Sequence, residues 1–193
     1  MSQLLINDIK QTIDVSEKEI EHIMTFFVSD TFKKKDFIIR ENDKVEHMYF
    51  ILSGLVKLSV MDNHANEHII SFAMDAWWET DYHAFYTQTR ASQSLRCIEN
   101  TRVLKLSYGG YHRLLQEVPK MTHFFLNKAV RGHISSQHRI LSLMTLSAQG
   151  KYEHFLKYYP LLLQRIPKTT LALYLGVSRE TLSRFFRSPS YCD

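Results

Sequence analysis

The apolar positions of this chain change period twice. Between residues 3 and 27, Ile9, Ile13, Ile20, Ile23 and Phe27 recur mostly at helical spacing, and Ser16 with Glu19 makes a capping-box pattern; one or two short helices are predicted. From Phe32 to Leu106 the pattern becomes strand-like. Apolar runs cover Phe37 to Ile39 and Met48 to Leu52, and Val56, Leu58 and Val60 alternate with Lys57 and Ser59. Further runs follow at Ile69 to Met74, Leu95 to Ile98 and Val103 to Leu106. Turn-forming residues separate them at Glu41-Asn42-Asp43, Ser53-Gly54 and Met61-Asp62-Asn63-His64. About seven or eight short strands of this kind predict an antiparallel sandwich or roll. Helical spacing returns near Tyr108, with Pro119 at a helix start and Gly150, Pro160 and Pro167 as punctuation. The expected architecture is α+β. It comprises a β-roll with N-terminal helices over residues 1–118, a long helix over 119–147, and a small helical domain over 148–193.

The sharpest local pattern runs from Pro167 to Phe185. A helix-turn-helix needs a small residue where its helices cross, a glycine at the turn and apolar residues packing both helices. Ala172, Gly176 and the set Leu171, Leu175, Val177, Leu182 and Phe185 occupy those places. Pro167 suits a first helical turn, and Ser178 suits an N-cap, so the second helix begins at Arg179. Its outward face presents Arg179, Glu180, Ser183, Arg184 and Arg187. Arginine pairs with the guanine edge in bidentate fashion and glutamate accepts from cytosine, so this face suits the major groove of double-stranded DNA.

From His123 onward, Asn127, Val130, Ile134, Gln137, Leu141 and Met144 are spaced alternately three and four apart. Such a seam fits two parallel helices packing knobs into holes, with polar Gln137 tuning the register. It equally fits one stripe buried against the chain's own β-roll.

Charge sharpens the picture. The net charge of +4 is modest, but residues 1–150 carry 17 Lys/Arg and 17 Asp/Glu, whereas residues 151–193 carry 7 and 3. The whole excess lies on the segment with the helix-turn-helix, as expected for a partner rich in phosphate. Asp8, Lys10, Asp14, Glu17 and Lys18 interrupt every early apolar run, and no later run reaches the roughly 18 apolar residues of a membrane span. A cytoplasmic protein without a membrane partner is expected.

Two motifs resemble one family. Gly176-Val177-Ser178-Arg179-Glu180-Thr181-Leu182-Ser183-Arg184 closely resembles the recognition segment of the bacterial cyclic-AMP receptor protein and fumarate-nitrate regulator (Crp/Fnr) superfamily. The stretch from Tyr49 to Leu58 resembles the hairpin of that family's cyclic-nucleotide-binding β-roll. The resemblance covers residues from about 20 to 187 in the family's order. It implies a homodimeric transcription regulator on palindromic sites, built on the long helix as dimer axis, with RNA polymerase and a small-molecule effector as further partners. It also implies that Arg179, Glu180 and Arg184 read bases, while Lys168, Thr169, Ser178 and Thr181 contact the DNA backbone. Family members often continue into a wing hairpin; this chain stops nine residues after Arg184, so the wing is expected to be short or absent.

The nucleotide pocket departs from the family's pattern. Members that bind a cyclic nucleotide hold its phosphate with glycines, a glutamate and an arginine in a short loop and helix. Here the matching stretch is Asp75-Ala76-Trp77-Trp78-Glu79-Thr80, followed by Thr89-Arg90-Ala91-Ser92. Only Glu79 clearly matches; no glycine occurs between Gly54 and Gly109, and Arg90 is displaced by one position. The effector pocket, if built here, would use Glu79, Arg90, Trp77 and Trp78. Alternatively Trp77, Trp78, Tyr82, Phe85 and Tyr86 fill the roll and cover its mouth. Cyclic AMP is not the expected ligand.

The remaining chemistry is thin. Cys97 and Cys192 are the only cysteines, too few for an iron-sulfur cluster, and Cys97 alternates with Leu95 as a core residue would. His64, Glu67 and His68 are the nearest approach to a metal-ligand set, in a hairpin. No nucleophile elbow, phosphate-binding loop or zincin motif occurs. The chain is expected to be no enzyme and to need neither cofactor nor metal. The alternatives are a small-molecule-binding module and a cupin-like metalloenzyme without a DNA-binding role.

Overall fold

The structure is a computed structural model, and it describes residues 3–187. Helices α1 (Gln3–Thr12) and α2 (Glu17–Met24) open the chain. The Ser16 hydroxyl accepts from the Glu19 N–H while the Glu19 carboxylate accepts from the Ser16 N–H at 2.8 Å, the reciprocal cap that the sequence pattern predicts.

The strands follow as β1 (Phe27–Phe32), β2 (Phe37–Ile39), β3 (His47–Ser53), β4 (Leu55–Met61), β5 (Glu67–Met74) and β6 (Trp78–Glu79). A short helix α3 (Tyr82–Thr87) precedes β7 (Ser94–Cys97) and β8 (Thr101–Ser107). Four strands pair in the order β1-β8-β3-β6 and four in the order β2-β7-β4-β5, all antiparallel. These are the two sheets of the expected roll.

Four elements differ from the sequence pattern. Phe27 begins a strand paired with Leu106 rather than ending a helix, because its buried ring fits either period and the pairing with β8 decides. The two-residue β6 and the six-residue α3 are too short for periodicity to register. Gly150 is no punctuation; it lies inside α6, where its N–H donates to the capping Ser147 hydroxyl at 3.1 Å, and a first-turn glycine does not end a helix.

The C-terminal half is helical: α4 (Tyr108–Glu117), α5 (Lys120–Thr145), α6 (Ala148–Tyr158), α7 (Pro160–Arg165), α8 (Lys168–Leu175) and α9 (Arg179–Arg187). Only the start of α5 is buried, where Met121, Phe124 and Phe125 enter the core of the roll. Among the described residues no helix is long and apolar enough to cross a membrane.

Two apolar cores sit on opposite faces of the β2-β7-β4-β5 sheet. Val56, Leu58 and Ala73 point into the roll, whereas Leu55, Ile69 and Phe72 join Phe155, Leu162, Leu171, Leu175 and Leu182 of the C-terminal helices. Alternation along β4, with a register shift in β5 that brings Ile69 and Phe72 to the same side, places one sheet between the roll interior and the helical domain. Phe72 meets Tyr174 with ring centroids 4.9 Å apart.

The β3–β4 turn is the tightest point of this arrangement. Gly54 has φ +116°, and a Cβ there would lie 2.6 Å from Thr101 Oγ1 and 2.7 Å from the Asn100 carbonyl oxygen. Replacing Gly54 with alanine is expected to cost about 2 kcal/mol or more in urea unfolding, since both backbone strain and overlap oppose it. An unchanged midpoint would mean that the turn relaxes freely.

Candidate nucleic-acid interface

The α8–turn–α9 unit is fixed by its own backbone chemistry. Gly176 ends α8 in the left-handed region at φ +66°, which lets the chain reverse without a side chain in the way. Two residues on, the Ser178 hydroxyl accepts from the Thr181 N–H at 3.1 Å and donates to Thr181 Oγ1 at 3.0 Å, so α9 starts at Arg179 as predicted. Leu182 is fully buried against Leu171, Ala172 and Leu175, which sets the rotation of α9 about its axis.

That rotation leaves Arg179, Glu180 and Arg184 exposed on one side. The Arg184 guanidinium also donates to Thr181 Oγ1 at 3.3 Å. A hydrogen bond from its own backbone N–H, the largest cause, holds the Glu180 carboxyl below the usual carboxylate range, so it stays an acceptor. Lys168 and Thr169 are exposed at the start of α8, and Ser178 lies at the turn. The side chain of Arg187, together with Cys192 and the segment on which the short or absent wing was expected, lies outside the described residues.

The unit is latched to the roll by two arginines that no local pattern marks. Arg165 of α7 donates to Glu99 at 3.1 and 2.7 Å, to Asp75 at 3.3 Å and to the Gly54 carbonyl at 2.7 Å. Arg139 of α5 donates to the carbonyls of Ile69 at 2.8 Å and Tyr174 at 3.0 Å, with its guanidinium 3.5 Å from the Tyr174 ring centre. Asp75 in turn accepts from the Gly54 N–H at 2.7 Å, tying the turn, the Asp75 loop and α7 together.

Inside the roll, Trp78 packs against Phe27, Phe50, Phe124 and Phe125, while Trp77 reaches the other core and meets Tyr159. Phe85 is buried, but Tyr82 and Tyr86 stay 43% and 47% exposed at the surface, so the aromatic run fills the roll only in part. Glu79 is buried and accepts from the Ser71 hydroxyl at 2.6 Å. Arg90 is exposed and gives its guanidinium to the Asn42 carbonyl at 2.7 Å, apart from Glu79. Asp81, which sequence reasoning passed over, is fully buried; the one signal for it is its place just before α3.

His64, Glu67 and His68, the nearest approach to a metal-ligand set, do not converge. Glu67 pairs with Lys57 and Ser59, while His68 pairs with Asp62 at 3.0 Å. Among the described residues no group of three His, Cys, Asp or Glu is arranged to hold a metal. Cys97 is a core residue, and burial pushes its thiol up.

Residues 29–118 match the family model of the cyclic nucleotide-binding domain. Over that stretch the β-roll is similar to the cyclic nucleotide-binding domain. Over most of its length the chain is similar in fold to solved structures of the Crp/Fnr type. The CLP regulator of Xanthomonas campestris, described as responsive to cyclic di-GMP, is 16% identical with a TM-score of 0.71 over 89% of this chain and 90% of its own. FixK2 of Bradyrhizobium japonicum gives 14% and 0.74 over 83% of each chain. The catabolite activator protein of Thermus thermophilus gives 21% and 0.58 over 90% of this chain and 83% of its own. No curated protein sequence matches the chain significantly.

Within the β-roll, burial pushes the Glu79 carboxyl up to about 7, against the hydrogen bonds from Ser71 and Thr80. A carboxyl raised on folding stabilises the fold fully below its unfolded value, and that contribution is lost as pH rises toward the folded value. Wild type is therefore expected to lose about 3 kcal/mol relative to Glu79→Gln between roughly pH 4.5 and 7. Denaturant titrations of both proteins across that window check this, and parallel pH profiles would remove Glu79 as the cause.

Proposed function

We propose that the chain is a sequence-specific DNA-binding transcription regulator that acts as a homodimer on inverted repeats. The observation that carries this reading is the fixed rotation of α9, which buries Leu182 and turns Arg179, Glu180 and Arg184 outward on a capped helix start. Those three side chains read base edges, and Lys168, Thr169, Ser178 and Thr181 position the backbone. The charge excess of residues 151–193 supports the same surface.

The homodimer rests on α5. Beyond the buried start of this helix, Val130, Ile134, Leu141 and Met144 are 49, 44, 58 and 79% exposed at alternating spacings of four, seven and three residues. An apolar seam of this length is costly in water and is covered, on this reading, by the same helix of a second copy. The functional division is a sensor roll over 1–118, a dimer helix over 119–147 and a DNA-binding domain over 148–193. RNA polymerase is a further proposed partner, and the effector is a small molecule other than cyclic AMP, because Arg90 is engaged by Asn42 and Trp78 fills the roll.

Ile134→Lys combined with Leu141→Lys is expected to give monomers in light scattering, and a variant that stays dimeric places the interface elsewhere. On DNA, the dimer should select an inverted repeat with half-sites about 34–36 Å apart, one helical turn. Replacing Arg179 or Arg184 with alanine should cost on the order of 1–3 kcal/mol and relax preference at one base pair. Replacing Lys168 should weaken all sequences alike and make the salt dependence shallower by about one unit. Identical, sequence-independent losses for the Arg179 and Lys168 variants would sink the base-reading role.

A further inference from the structure

One buried carboxylate sits where two separate segments turn their donors toward a single point. Asp81 is fully buried. Its Oδ1 accepts from the Ala84 N–H at 3.1 Å, and its Oδ2 accepts from the Ser92 N–H at 2.9 Å, the Ser92 hydroxyl at 3.3 Å and the Gln93 N–H at 3.2 Å. Most of these donors come from residues 92–93, past the far end of α3, so more than a helix cap is involved. With only six residues, α3 has little dipole to add.

Among the described residues no Lys, Arg or His pairs with Asp81. Arg90 is turned to the Asn42 carbonyl, and Arg96 gives its Nε to the Lys35 carbonyl at 3.0 Å while lying over the Phe37 ring. A buried carboxylate without a counter-charge is costly unless hydrogen bonds satisfy its oxygens. Here N–H and O–H dipoles alone satisfy it, which is how backbone concavities hold free anions.

We propose that Ala84, Ser92 and Gln93 form an oxoanion cradle whose occupant is the chain's own Asp81, so that removing this side chain opens a site for a small exogenous carboxylate. The internal occupant fastens α3 to the segment leading into β7 without an external ligand. The roll thus keeps an anion-bound arrangement at this point at all times. None of this depends on DNA binding.

The test compares thermal unfolding of wild type, Asp81→Ala and Asp81→Asn in sodium formate and in sodium chloride at equal ionic strength. In chloride both variants should melt about 5 °C or more below wild type. Formate should raise the Asp81→Ala midpoint saturably while leaving wild type unchanged, because its cradle is filled. Asp81→Asn should not respond either, since its amide still occupies the space. If Asp81→Ala does not fold in chloride, refolding yield in formate becomes the readout, and recovery there supports the same conclusion. The inference is overturned if formate acts no better than chloride on Asp81→Ala, if it fails to refold that variant, or if it stabilises all three proteins equally.

Discussion

The β2-β7-β4-β5 sheet carries an apolar core on each face, and the placing of the C-terminal helices follows from that. One face closes the roll over Val56, Leu58 and Ala73; the other receives the C-terminal helices through Leu55, Ile69 and Phe72. Were the second face exposed, a contiguous apolar patch would meet water, so the helical domain serves as its cover. Burial is non-directional, however, and leaves orientation open. Direction comes from Arg139 and Arg165, whose donors meet fixed carbonyl and carboxylate acceptors on the roll. Area holds the helix-turn-helix to the sheet; hydrogen-bond geometry decides how it lies.

The long helix α5 divides the same two tasks along its length. Its first turns carry Met121, Phe124 and Phe125 into the roll, and Lys128 pairs there with Asp8 of α1. Past Asn127 the apolar residues are left uncovered by the chain itself. One helix is therefore anchored at one end and exposed at the other, where Val130, Ile134, Leu141 and Met144 of the seam are not buried against the chain's own roll.

What was legible in the sequence was what is local. Helix-turn-helix residues from Pro167 to Phe185 announce themselves because glycine at the turn, serine at the cap and leucine at the crossing act within a few residues of one another. The strands of the roll were legible through alternation. The latch was not, because Arg165, Glu99, Asp75 and Gly54 meet across separations of up to 111 residues, and a lone arginine in a short helix carries no pattern. Asp81 escaped for the same reason: its donors at 92–93 lie beyond any local motif. The departures from the family's nucleotide loop were visible, but what replaced them was not. Bulky indoles and a missing glycine say that a phosphate is poorly served, while the identity of the groups that fill the space depends on packing.

Adjacent residues Trp77 and Trp78 have consequences for how the molecule reports on itself. They are the only indoles in the chain, and their side chains go to different places. Trp78 lies among Phe27, Phe50, Phe124 and Phe125 within the roll, whereas Trp77 meets Tyr159 on the side of the helical domain. Indole emission follows the polarity around the ring. A protein in which Trp78 is replaced by phenylalanine thus carries a single native fluorophore at the junction between sheet and helices, and one in which Trp77 is replaced carries a single fluorophore in the sheet's interior. Opening of the junction and melting of the roll become separately visible as light, without attaching a dye to either.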